Sequence, residues 1–249
     1  LVTRPAAQAA EWVAQLAAPG IDAAALPLIG IAAPADRAPV EAAWAALAGQ
    51  ALVVFVSPNA VEQFFALRPA AAAWPAGVVA GSPGPGTTSA LRACGVPPGQ
   101  IVAPADDAPQ FDSEALWVQL AGRDWQRARV TIVRGDGGRE WLADTLRAQG
   151  AEVSFVAAYR RVPPEPDARQ AALLRQAVRE PGRHLWFFSS SEAIDHLVAL
   201  APDATWGSAR ALATHPRIAD RARRVGFGAV SECRPALAAV VACIQSMDP

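Results

Sequence analysis

The chain contains a single tyrosine, Tyr159. It closes a strand-like run over residues 150–158 and is followed at once by Arg160 and Arg161, then by Pro163 and Pro164. A phenol is a hydroxyl donor and two guanidinium groups attract anions, so polar functions collect where the prolines end a helix or central strand. Other hydroxyls sit at comparable places: Ser57 in SPN (57–59), Thr87 in GSPGPGTTS (81–89), Ser189 in SSS (189–191) and Thr214 in THPR (214–217), where Arg217 follows. Each lies between an apolar run and a helical pattern. There a hydroxyl caps the helix, with Thr87, Thr88 or Ser89 serving in the glycine-rich turn, or joins the free first-turn amides in binding a carboxylate or phosphate. Arg4 and Arg134 also follow apolar runs directly, although Asp136 opposes anion binding beside Arg134.

Many other chemistries lack their residues. All 22 basic residues are arginine, which removes Schiff-base, pyridoxal-phosphate and Walker-type lysine chemistry. The glycine-rich turn is neither GxGxxG nor GxxxxGK, and Ser57 does not stand in GxSxG. His215 has no identifiable nucleophile or orienting partner, and His184 and His196 have no metal-ligand spacing. Cys94, Cys233 and Cys243 form no CxxC, and Glu62, Glu114, Glu140 and Glu192 read as helix-surface charges, as does Arg139. The spacing of these residues supports no metal site.

These residues recur in a repeat. VVFVSPNAVEQFF (53–65) has its counterpart in LWFFSSSEAIDHL (185–197), and LVTRP leading to Glu11 and Trp12 matches TIVRG leading to Glu140 and Trp141. A weaker third pair links residues 78–96 with 211–227. Two copies of one α/β unit, about 1–120 and 130–249, predict mostly parallel sheets flanked by helices, with ligands outside the C-terminal strand ends. The extended runs 26–35 and 155–161 read equally as strands or connectors.

With 52% hydrophobic residues the chain has ample core-forming side chains; net charge −1 and pI near 6.4 give no overall support for nucleic-acid or anionic-membrane binding. No apolar span of 18 residues or signal-like N-terminus is present in the sequence, and the cysteine pattern fits a reducing compartment, so a cytoplasmic location is expected.

Taken in order, VVFVSPNAV, GTTSAL with Gly95-Val96, RGDGGREWL, VAAYRR, Ser189-Ser190 and THPRI resemble the uroporphyrinogen-III synthase family over essentially the whole chain. The resemblance implies two similar parallel-sheet α/β domains of flavodoxin-like topology joined by a two-stranded antiparallel linker, with substrate in the cleft between them. Residues 1–30 and 164–249 would form a discontinuous domain, 37–157 the inserted one, and 31–36 and 158–163 the linkers. It also implies a monomeric, cofactor-free enzyme that cyclises hydroxymethylbilane to uroporphyrinogen III, losing water and inverting ring D, with a transient handover from hydroxymethylbilane synthase. Tyr159 resembles the family's cleft tyrosine, a donor to the departing hydroxyl. Ser57, Thr87, Ser189 and Thr214, with Arg4, Arg134 and Arg217, would bind the substrate's carboxylates. A binding-protein-like sensor module, or a tetrapyrrole-binding domain without activity, is the competing expectation.

Overall fold

Short apolar runs set between prolines, glycines and cap residues become strands, and the longer amphipathic stretches between them become helices. A computed structural model of the chain describes residues 1–70, 72–105 and 107–247. Along it run α1 (Ala6–Ala17), β1 (Gly30–Ala32), α2 (Ala38–Ala45), β2 (Leu52–Phe55), α3 (Pro58–Ala66), β3 (Val79–Gly81) and α4 (Pro85–Ala93). Then come β4 (Ile101–Val102), α5 (Ser113–Leu120), β5 (Arg129–Gly135), α6 (Trp141–Ala148), β6 (Glu152–Val162) and α7 (Ala168–Arg179). The last are β7 (Leu185–Phe188), α8 (Ser191–Leu200), β8 (Arg210–Ala213), α9 (Pro216–Val225), β9 (Ala229–Glu232) and α10 (Leu237–Met247).

The chain folds as two units, a continuous one over Ile31–Arg161 and a discontinuous one over Leu1–Gly30 with Val162–Pro249. In the continuous unit the sheet order is β6-β5-β2-β3-β4, with β1 beside β6. The β2–β3, β2–β5, β3–β4 and β5–β6 pairs are parallel. Period-two alternation covers both faces. Val53, Phe55 and Val133 meet Val40, Trp44, Phe64 and Leu91 on one side, while Leu52, Val54, Val130 and Ile132 meet Leu116, Leu120, Leu142 and Leu146 on the other.

In the discontinuous unit β7, β8 and β9 form a parallel sheet, and Val2 bridges in parallel to Phe187 on one side and Ala25 on the other. Its core also has two faces. Val2, Ala9, Leu16, Phe187, Leu212 and Val240 pack together, and Trp186, Phe188, Trp206 and Phe227 stack edge to face or in parallel. The opening strand of each sequence repeat therefore sits beside the later strands of the other repeat. Counted by repeat, both units read second-first-third-fourth-fifth, and the winding direction reverses between the first and third strands.

Candidate active site at the strand ends of the continuous unit

In the continuous unit that reversal lies between β5 and β2. Tyr159 reaches it from one strand further out. The β5–β6 register runs Arg134↔Ala157 and then Gly135↔Tyr159, so Ala158 is an extra residue on β6. A bulge of this kind reverses the inward-outward alternation. Val156, Ala158 and Tyr159 consequently all belong to the same core face, beside Phe55 and Val133. The sequence predicts a strand that ends at Tyr159; β6 instead continues through Arg160 and Arg161 to Val162.

From β6 the phenol passes over β5 at a residue without a side chain. A Cβ placed on Gly135 would stand 3.1 Å from Cε2 and Cζ of Tyr159. The hydroxyl then meets Ser57 Oγ at 3.1 Å, and either oxygen can donate. Ser57 is the N-cap of α3, and its Oγ also accepts from the Ala60 amide at 3.2 Å. Tyr159 is 0% exposed whereas Ser57 is partly open, so the serine is the accessible end of the pair.

The remaining site residues of this unit divide. Arg134 stacks over Phe155 with its guanidinium carbon 3.7 Å from the ring centroid, and its Nη2 donates to Glu140 Oε1 at 3.0 Å. Its charge is thereby neutralised by a neighbour. Arg139 and Glu140 are exposed but precede α6, with Glu140 as its N-cap, and Arg139 forms a bidentate pair with Glu114 at 2.7 and 2.8 Å. Thr87 lies inside the first turn of α4 and is largely buried; the capping position is Gly84, so the expected cap at Thr87, Thr88 or Ser89 is corrected by three residues or more. Thr88 donates instead to Ser82 Oγ at 2.9 Å, and Ser82 donates to the Gly84 carbonyl, which shapes the turn.

In the discontinuous unit Ser189, Thr214 and Arg4 follow the ends of β7, β8 and the Val2 segment, while Arg217 lies in the first turn of α9. The N-cap of α8 is Ser190, without a side-chain cap bond, so Ser190 and not Ser189 corresponds to Ser57. The repeat 53–65 against 185–197 sets Ser57 opposite Ser189; the common offset of two residues from strand end to cap, Phe55 to Ser57 and Phe188 to Ser190, emerges only with the strand ends in place. His215 is the N-cap of α9 and its Nδ1 accepts from the Arg217 amide at 3.2 Å, while Arg217 itself is exposed. His184 and His196 bond to the carbonyls of Glu180 and Leu28. No group of three metal-ligating residues is present among the described residues, and no helix among them is long and apolar enough to cross a membrane.

Two parallel α/β sheets, each with hydroxyls, arginines and helix N-termini at the C-terminal ends of its strands, define a two-unit α/β protein of the kind whose ligands collect at those strand ends. The family model of uroporphyrinogen-III synthase HemD matches residues 10–242. The chain belongs to the uroporphyrinogen-III synthase family. It is 32% identical over 234 residues to the uroporphyrinogen-III synthase of Salmonella typhimurium, covering 91% of each chain. It is likewise 32% identical over 237 residues to that of Escherichia coli, again covering 91% of each. A variant of the Thermus thermophilus uroporphyrinogen III synthase has the same fold at 18% identity, with a TM-score of 0.55 over 98% of this chain and 95% of that one.

Proposed function

We propose that the chain is a lyase of tetrapyrrole biosynthesis that closes hydroxymethylbilane to uroporphyrinogen III with loss of water and inversion of ring D. The observation carrying the chemistry is the Ser57–Tyr159 hydrogen bond at the sheet reversal, where a sealed phenol stands behind a partly open serine hydroxyl. The substrate's hydroxymethyl group leaves as water only if its oxygen is protonated. Ser57 donates that proton as Tyr159 passes its own to Ser57 Oγ, and the C–O bond breaks to leave water, a tyrosinate and a cationic azafulvenium. The substituted carbon of ring D attacks it to give a spiro intermediate, which fragments and recombines with that ring inverted. The proton lost as the last pyrrole regains aromaticity restores the phenol, so the only net loss is water. Positioned acid catalysis of this type contributes roughly 10²–10⁴-fold.

Binding falls to the strand-end hydroxyls and amides. Thr87, Ser189 and Thr214 lie beside helix N-termini, the ordinary partners of carboxylates. Freshly generated hydroxymethylbilane incubated with the protein tests the assignment. Isomer III is the predicted product; isomer I alone, which forms without catalysis, would reject it.

A further inference from the structure

The repeat places an arginine at the sheet reversal of each unit, and the two copies differ in what surrounds them. Arg134 has Glu140 at 3.0 Å. Its counterpart Arg4 takes part in no hydrogen bond or ion pair among the described residues, and its Nε is sealed from solvent without a partner. Glu11, near the position that Glu140 holds in the other copy, accepts from Gln15 Nε2 at 3.0 Å. The Arg4 guanidinium lies instead over the rings of Trp12 and Phe187, at 5.0 and 5.7 Å from their centroids. Burial draws its pKa down to about 10, against the opposing pull of Cys233 and Glu11, so it remains a cation at neutral pH. A partly exposed guanidinium whose Nε is sealed without a partner is under-satisfied, and a ligand anion can supply the missing partner.

The backbone around Arg4 is suited to that ligand. Continuing the Val2↔Phe187 register by two residues brings Arg4 level with Ser189. α1 starts two residues after Arg4 behind Pro5, which has no capping side chain, so the Ala6 and Ala7 amides have no helical acceptor. α8 starts behind Ser190, also without a side-chain cap bond, although Glu192 in its first turn adds an opposing carboxylate.

We infer that Arg4 is the fixed cationic seat for one carboxylate of the ligand, with Ser189 and the first amides of α1 beside it, whereas the equivalent charge at Arg134 is spent on Glu140. The carboxylate is named on the strength of the proposed function; the anion seat itself stands on the geometry. Equilibrium binding of uroporphyrin I, a stable octacarboxylate, and of inorganic phosphate therefore tests it independently of turnover. Arg4→Gln is expected to weaken uroporphyrin I about 10-fold or more, the loss typical of a charged hydrogen bond, and to raise KM for hydroxymethylbilane by a similar factor with kcat within about 2-fold. Arg4→Lys, which keeps charge and stem and guards against a folding defect, is expected to recover part of the affinity. Arg175→Gln removes the same charge from exposed α7 and is expected to bind as the wild type. Phosphate competing with uroporphyrin I only when Arg4 is present identifies a general anion seat; no competition, with the Arg4→Gln loss intact, identifies a carboxylate seat. Wild-type uroporphyrin I affinity in Arg4→Gln, or an equal loss in Arg175→Gln, would overturn the inference. Isomer I as the sole product of a wild type that still binds through Arg4 would overturn the synthase reading alone.

Discussion

Tyr159 on β6 and Ser57 after β2 share a hydrogen bond of 3.1 Å, although β5 runs between their strands. Two departures from regular sheet structure make it possible. The extra residue at Ala158 turns the phenol towards the α3 face, and Gly135 gives it a path across β5.

Gly135→Ala is therefore expected to damage activity more than stability. The new methyl meets the phenol ring at about 3.1 Å, tight enough to displace the hydroxyl by a few tenths of an ångström. Overpacking costs roughly 1–3 kcal/mol, whereas the loss of alignment with Ser57 lowers kcat about 10-fold or more. Steady-state kinetics beside thermal unfolding separates the two; unchanged kcat in a destabilised protein would show that the phenol's position is not used.

Glu140→Gln should release the Arg134 guanidinium from its 3.0 Å pair. Because Glu140 is largely exposed, stability should change by less than about 1 kcal/mol. Uroporphyrin I affinity is expected to rise about 2- to 3-fold as the positive charge becomes available. A calorimetric titration showing weaker binding would mean that the pair is needed to hold Arg134 in place.

At Gly30 the backbone passes Val162 so closely that an added Cβ would lie 2.6 Å from Val162 Cγ2, 3.1 Å from the Pro163 carbonyl and 3.2 Å from that of Val162. Two of these neighbours are backbone and cannot rotate away. Gly30→Ala should cost about 1–3 kcal/mol, read as a fall in the urea midpoint, and Val162→Ala in the same chain should return part of it. An unshifted midpoint for Gly30→Ala would show that the two segments separate freely.

The Cys233 thiol is pushed up to about 12, mainly by burial and then by the adjacent Cys243, with Arg4 pulling the other way. The thiolate is the reactive form, so at pH 8 its population is well below that of an ordinary cysteine. Iodoacetamide should label Cys233 slowly in the folded protein and quickly in urea, as mass spectrometry of the peptide would show. Equal rates would place the thiol in contact with solvent.

Much of this architecture is legible in the residues. VVFVSPN and LWFFSSS announce a buried parallel strand, a turn and a helix start, because hydrophobic run, cap hydroxyl and first-turn proline or acidic residue each have a local cause. The paired motifs also locate the sheet reversals through the repeat. Nothing local records the bulge at Ala158, since register is decided by the neighbouring strand. The neutralisation of Arg134 and the isolation of Arg4 were hidden for a related reason: Glu140 and Glu11 occupy nearly the same place in the two copies, and only the folded side chains show which one turns to its arginine. At α4 the three hydroxyls of Thr87, Thr88 and Ser89 are cap residues by type, but the cap falls on Gly84, whose extended backbone needs no side chain for it.

The proton relay is tested most directly by the coupling between Ser57→Ala and Tyr159→Phe in kcat for isomer III formation. Tyr159→Phe alone should lower kcat about 10²-fold while costing about 1 kcal/mol of stability, the usual worth of one hydrogen bond. If the two hydroxyls act as one acid, the double variant is no slower than the more damaged single variant to within about 2-fold. Full additivity, with the double variant losing the product of the two single losses, would contradict the relay and leave each hydroxyl with a separate role.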